Sequence, residues 1–153
     1  LNKPAYGLVL RDYHSPNLIW RGDRDGRDRL GILDFRDALW GPNAYDLASL
    51  AQDARITIPP EIEEAAVSAY FSRRMQMAGF DAQRTAREFA VMALQRNTKI
   101  LGIFVRLNLR DGKPAYLKHL PRIESYVLRT LPNPGLERLA AFYADMGLGA
   151  VTI

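Results

Sequence analysis

Residues 11–17 read RDYHSPN and residues 33–37 read LDFRD. An aspartate, an asparagine soon after it, and a second aspartate beyond an apolar run form a set of hard oxygen donors. Such a set has three chemical readings: a turn, a helix cap, or half of a phosphate-transfer site. Moving a phosphoryl group from a nucleotide to a hydroxyl takes a carboxylate near the attacking hydroxyl. It also takes oxygen ligands for Mg²⁺, because the phosphate charge must be neutralised. Magnesium uses a few carboxylate or amide oxygens and leaves its other positions to water and phosphate. Asp12, Asn17 and Asp34 supply those groups.

The flanking sequence predicts how these residues meet. GLVLRD (7–12), NLIW (17–20) and LGILDF (30–35) are short apolar runs of β type. Between the last two lies RGDRDGRDR (21–29), polar and glycine-containing, which suits an exposed hairpin loop. The order strand, loop, strand, hairpin, strand predicts that the two loop ends come together. The acidic spacing of 21–29 invites a calcium reading, but its glycine is misplaced and no glutamate closes the site, so a solvated turn is the better reading.

From Gly41 onward the pattern is helical. GPNAYDLASLAQDA (41–54) opens with a turn, Asn43 as a cap and Asp46 three residues later, a variant of the capping box. PPEIEEAAVSAYFSRRMQMAGF (59–80) starts with proline and acids and ends near glycine, as a helix does. A long helix is predicted from Asp81 or soon after up to the break at DGKP (111–114), with Phe89, Ala93, Ile100, Ile103 and Leu107 recurring at the 3.6 period. AYLKHLPRIESYVLRTL (115–131) continues as a helix interrupted or restarted at Pro121, and NPGLERLAAFYADMG (133–147) supplies a last one. The fold class is therefore α+β and mainly helical, a small β-hairpin unit followed by about five helices. So few strands make no independent sheet and are expected to lie on the helices.

Composition narrows the functional classes. The chain of 153 residues is one-domain size, 48% apolar and 25% charged, within the ordinary globular range. It has no cysteine, which excludes a disulfide framework, a thiolate nucleophile and thiolate-bound zinc. No apolar run has bilayer-spanning length, and the first ten residues lack the charged, apolar and small-residue order of a secretion signal. A reducing cytoplasm without membrane attachment is the expectation. The net charge of +4 is spread along the chain, without a zinc-finger spacing or an aromatic RNA motif. It favours small anions such as nucleotide phosphates or an acidic metabolite over nucleic acid.

Asp12 with Asn17 resembles the catalytic loop of protein kinases and their small-molecule relatives, and LDF (33–35) resembles the start of their metal-binding segment, with Arg36 where protein kinases carry glycine. With YDLA (45–48), the string is similar to the aminoglycoside phosphotransferase-like kinases. QRNTKILGIFVRLNLRDGKPAYLKHLPRI (95–123) adds a resemblance to the bacterial cell-wall sugar kinases that phosphorylate the anomeric hydroxyl of N-acetylmuramate and N-acetylglucosamine. The similarity runs over most of residues 6–131. It implies the C-terminal lobe of a protein-kinase-like fold, ATP as phosphate donor and Mg²⁺ as cofactor.

Carried over position by position, the resemblance makes Asp12 the catalytic base that orients or deprotonates the sugar hydroxyl. Asn17 becomes a magnesium ligand, and Asp34 the principal metal ligand bridging the phosphates. Asp46 matches an aspartate that braces the catalytic loop through backbone hydrogen bonds, a role that coexists with capping. Asp37 reads as a further metal contact or as an ion-pair partner of Arg36 or Arg11. His14 reads as a substrate contact or as loop packing. Leu10 stands where protein kinases have histidine, which bears on loop bracing. Arg96, Lys99, Arg106 and Arg110 share one arc of the long helix. That arc is either a solvated face or an anion site for the acidic lactyl group of muramate, or for phosphate. Trp20 and Trp40 are expected as core or loop packing rather than as sugar-stacking platforms.

The sequence contains no glycine-rich phosphate loop and no V-A-I-K-type lysine. Residues 1–153 thus read as one catalytic-loop and substrate-binding lobe without its N-terminal nucleotide lobe, expected to be inactive alone. An apolar patch is expected near the N-terminus, covered by the missing lobe or by self-association. Two other readings stay open: phosphorylation of an aminoglycoside or other small molecule, and a non-catalytic, pseudokinase-like binding module.

Overall fold

The computed structural model describes residues 5–148. The chain divides into two compact units, residues 1–82 and 83–153.

The first unit holds four short strands, β1 (Tyr6–Val9), β2 (Leu18–Trp20), β3 (Leu30–Ile32) and β4 (Leu39–Pro42), then helices α1 (Ala44–Ala51) and α2 (Pro60–Arg74). β2 and β3 form an antiparallel hairpin with Leu18 opposite Ile32 and Trp20 opposite Leu30. Its connection carries a 3₁₀ turn at Gly26–Arg29 and is exposed, as the polar composition of 21–29 predicts. β1 reaches over this hairpin to pair antiparallel with β4, Leu8 opposite Trp40 and Gly7 opposite Gly41.

The periodicity had not marked β4, because Gly41-Pro42 reads as a turn into the next helix. The strand forms because two glycines face each other across the ladder. A Cβ at Gly7 would overlap Asn43 Oδ1, and one at Gly41 would come within 2.9 Å of Leu39 Cδ1. The Asn43 carboxamide thus lies against β1, and its side chain makes no capping hydrogen bond to α1. Pro42 ends the strand, where a missing N–H is tolerated.

α1 buries Ala44, Leu47, Ala48 and Ala51, one face at helical spacing. It packs with α2, and Gln52 Nε2 donates to Glu63 Oε1 at 3.0 Å. α2 opens on Pro60 with Glu61 and Glu63 in its first turn and closes with Arg73 and Arg74, complementing the helix dipole at both ends.

The second unit is helical throughout its described residues: α3 (Ala82–Asp111), a 3₁₀ segment (Pro114–His119), α4 (Leu120–Thr130) and α5 (Glu137–Asp145). α3 stops at Gly112, whose φ of 61° suits the left-handed position that ends many helices. Pro121 lies in the first turn of α4, where its missing N–H breaks no intrahelical bond, so it restarts the helix after the 3₁₀ segment. The core joins Ala90 and Leu94 of α3 to Val127, Leu131 and Leu136, with Leu101, Ala140 and Tyr143 packed on it. Val127 has no exposed surface, and full burial of a side chain that size contributes about 1.5–3 kcal/mol. The Thr98 hydroxyl and the Tyr143 phenol hydrogen-bond each other at its margin. Phe104, also buried on α3, tilts against Tyr116 with ring centroids 5.0 Å apart.

Five helices and two small antiparallel sheets among the described residues agree with the C-terminal lobe of a kinase-like fold. No helix among the described residues is long and apolar enough to cross a membrane.

Candidate active site

The loop between β1 and β2 is built by hydrogen bonds from its backbone. At its start Arg11 takes a left-handed conformation with φ 71°. A residue with a Cβ adopts that at a cost of about 1–2 kcal/mol. Asp46, in the first turn of α1, holds the conformation in place. Its Oδ2 accepts the Leu10 N–H at 2.7 Å and its Oδ1 the Arg11 N–H at 3.0 Å. Hydrogen bonds to a charged acceptor contribute about 1.5–3 kcal/mol each, enough together to outweigh the strain. Burial raises the Asp46 pKa above the ordinary aspartate value; the two backbone donors pull the other way, and the nearby charge of Asp12 adds to the rise.

Past Arg11 the loop tightens on itself. Asp12 N–H donates to Leu10 O at 2.9 Å, His14 N–H to Asp12 O at 3.1 Å and Asn17 N–H to His14 O at 2.9 Å. A 3₁₀ turn at Ser15–Asn17 follows, with Pro16 inside it. The Asn17 side chain turns back, its Nδ2 donating to Asp12 O at 2.9 Å. With the amide nitrogen committed, the Asn17 Oδ1 lone pairs remain as an acceptor, the part of a carboxamide that a hard cation takes. The Asp12 side chain is exposed.

Asp34 reaches the same loop end through the hairpin. The β2–β3 register runs on past Leu18–Ile32, and Leu33 N–H donates to Asn17 O at 2.9 Å. Asp34 is the next residue and again left-handed, φ 52°, so the strand alternation stops there. Left-handed non-glycine residues cluster at functional sites. Asp34 Oδ1 lies 3.6 Å from Arg36 Nε, an exposed pair that adds little stability. Asp37 is exposed, in a turn closed by Ala38 N–H donating to Phe35 O at 3.1 Å. Among the described residues no three His, Asp or Glu side chains gather into a metal-holding group. The Asn17 oxygen and the Asp34 carboxylate are a sparse, all-oxygen pair of donors, which fits a cation that completes its shell with water and phosphate.

Two residues at this loop were not singled out in the sequence. Asp53, 1% exposed, accepts the Ser15 N–H on Oδ2 at 2.9 Å and the Arg55 N–H on Oδ1 at 2.7 Å. Burial drives its pKa up. The donors Arg55 N–H, Ser15 N–H and Ser15 hydroxyl, with a smaller effect of the His14 charge, outweigh that and hold the carboxyl below its ordinary value. Arg55 Nη1 meets His14 Nε2 at 2.7 Å. His14 is 6% exposed, so its ring lies on the packed side of the loop. The signal that would have found Asp53 is a carboxylate at the end of a helix whose other buried residues are small or apolar.

A cavity of about 400 Å³ in this unit is lined by Tyr13, Asp46, Tyr70 and Arg74, among others. Burial and then the charge of Asp46 raise the Tyr13 phenol above its ordinary pKa. In the second unit, Arg96 of the basic arc is buried while Lys99, Arg106 and Arg110 are exposed, so the arc is not one uniform solvated face. Trp20 and Trp40 correct the expectation of packing: they are 69% and 71% exposed. Trp20 carries the Arg29 guanidinium 5.7 Å from its ring centroid, and Trp40 sits beside exposed Leu8 on the β1–β4 ladder.

Comparison with known proteins identifies the family. Residues 1–96 match the model of APH, the phosphotransferase enzyme family. The chain is similar to proteins named N-acetylmuramate/N-acetylglucosamine kinase. It is 40% identical to that of Caulobacter vibrioides over 133 residues, 87% of this chain and 36% of the relative. Against that of Neisseria meningitidis serogroup B it is 41% identical over 140 residues, 89% and 40%. Against that of Pseudomonas putida it is 35% identical over 150 residues, 94% and 42%. The chain thus spans between 36% and 42% of the length of these curated relatives. It belongs to the phosphotransferase enzyme family.

Proposed function

We propose that the protein transfers a phosphoryl group from ATP to the anomeric hydroxyl of N-acetylmuramate or N-acetylglucosamine, in the cytoplasm and in the service of cell-wall recycling. The observation that carries this reading is the hydrogen-bonded backbone path from Asp12 O through Asn17 to Leu33, which supports Asp12, Asn17 and Asp34 as parts of one site. The names of the similar proteins support the choice of sugar. In this reading Asp12 accepts the proton of the attacking hydroxyl at its exposed carboxylate. Asn17 Oδ1 and Asp34 hold Mg²⁺, which when bound neutralises the phosphate charge. Asp37 lies three residues on, where a water-mediated contact is the most its exposed position supports. Asp46 keeps Asp12 in place by fixing the two N–H groups before it.

Residues 1–153 supply the metal and acceptor side of such a site, and the nucleotide clamp is assigned to a further lobe or partner. Leu8 and Trp40, cross-strand neighbours that are 67% and 71% exposed, support a covering partner on the β1–β4 ladder. Lys99 and Arg96 remain the proposed contacts of the lactyl carboxylate of muramate, with His14 shaping the acceptor side from within the loop.

Measuring ADP release by the full-length protein with each sugar tests the reading. Asp12→Asn should retain sugar binding and lose turnover by about 10²–10⁴-fold. Lys99→Ala and Arg96→Ala should raise KM for N-acetylmuramate more than for N-acetylglucosamine. Unchanged turnover in Asp12→Asn would remove the mechanism, and equal KM changes on both sugars would remove the carboxylate role alone.

A further inference from the structure

Asp53 and Arg55 hold the β1–β2 loop from the far end of α1. The Asp53 carboxylate is buried against the Ser15 N–H, and Ser15 opens the 3₁₀ turn that ends on Asn17. Its other oxygen takes the Arg55 N–H at 2.7 Å. The Arg55 guanidinium reaches His14 Nε2 at 2.7 Å. The same guanidinium nitrogen lies 3.4 Å from His14 Nδ1, so it sits close to both ring nitrogens and holds the imidazole in place. Two consecutive residues of the loop, one by its side chain and one by its backbone, are therefore tied to a segment remote in sequence. Asn17 is then presented from a turn whose first residue cannot drift.

We propose that Asp53 and Arg55 are positioning residues for phosphoryl transfer, setting the Asn17 carboxamide at the distance a metal ion requires. They act through Ser15 and His14 and do not touch the reacting groups. The inference rests on the phosphotransferase reading above. Residues that orient a metal ligand from behind typically change metal affinity or activity by about 10–100-fold when altered.

The test uses the full-length protein with ATP, N-acetylglucosamine and a Mg²⁺ titration. Asp53→Asn preserves volume and one acceptor oxygen while removing the charge. It should raise the Mg²⁺ concentration for half-maximal turnover by about 10–100-fold, leave KM for the sugar unchanged, and recover most of kcat at high Mg²⁺. Arg55→Ala alters an exposed side chain, and it should move the Mg²⁺ dependence the same way. Without nucleotide or metal, hydrogen exchange over residues 12–17 should quicken in both variants. Wild-type Mg²⁺ dependence with wild-type exchange would overturn the proposal. So would a loss of turnover that tracks a lowered melting temperature and is not recovered by Mg²⁺. Asp12→Asn run in parallel separates the two levels. If Asp12→Asn is inactive while the other two variants behave as wild type, only the positioning role falls. If Asp12→Asn keeps full turnover, the phosphotransferase reading falls and the positioning role with it.

Discussion

Asp46 and Asp53 each accept two backbone N–H groups and burial pushes both upward, yet they lie on opposite sides of the ordinary aspartate pKa. For Asp46, burial exceeds the help of its donors, so the folded state binds its proton more tightly than the unfolded chain does. Its share of stability is full below the unfolded value near ~3.9 and is lost as pH rises through the raised folded value. For Asp53, the added Ser15 hydroxyl and the His14 charge tip the balance. Its share is present above ~3.9 and is lost as pH falls through the lowered folded value. Urea midpoints measured from pH 7 down to pH 3 should show an acid limb that flattens in Asp53→Asn relative to wild type. An equally steep limb would mean that Asp53 has no net proton linkage to folding. Which carboxylates matter was partly legible in the sequence. Asp12, Asn17, Asp34 and Asp46 stand in a recognisable string. Asp53 does not, because its partner Ser15 lies 38 residues away and no local pattern encodes that meeting.

Glycines separate local from long-range constraint at the level of the element. Gly102 lies within α3, is exposed, and has nothing within 4 Å of where a Cβ would stand. Gly102→Ala should therefore stabilise the protein by about 0.5–1 kcal/mol, through helix propensity alone. Gly7→Ala meets the opposite situation, because a Cβ there overlaps the Asn43 carboxamide at the β1–β4 ladder. It should destabilise by about 1–3 kcal/mol, the usual range for overpacking. Thermal unfolding of both variants checks the pair, and a stabilised Gly7→Ala would show that Asn43 moves aside without cost. The helices were read closely from sequence: α2, α3 and α5 lie within their predicted stretches, and the break near DGKP comes at Gly112. β4 was not, since Leu39–Pro42 becomes a strand only by meeting β1.

Taken as a whole molecule, the chain leaves large apolar side chains uncovered on its first strands and the turn between β3 and β4. Leu8, Ile19, Trp20, Phe35, Leu39 and Trp40 are all exposed. Leu8 and Trp40 face each other across the β1–β4 ladder, and an exposed apolar patch on a protein marks an interaction site. Residues 1–153 prepared alone should therefore self-associate or bind a hydrophobic dye, and Leu8→Asp with Trp40→Asp should suppress both. A strictly monomeric wild-type chain that ignores the dye would remove the idea of a covered face. The sequence anticipated such a patch near the N-terminus but placed the tryptophans in the packing, where hydropathy alone puts them.

Helix positions, the exposed hairpin connection and the donor set Asp12, Asn17 and Asp34 were determined by the sequence itself, because prolines and a 3.6-residue period act between near neighbours. The tertiary structure decided that β1 pairs with β4, that Asn43 lies on Gly7 and leaves α1 uncapped, and that both Asp46 oxygens and one of Asp53 accept from a distant loop. It also decided that Arg11 and Asp34 turn left-handed. Each of these depends on which N–H groups and side chains meet across long separations. Satisfying a buried carboxylate or an unpaired strand is a condition on the folded whole, and no window of sequence contains both partners.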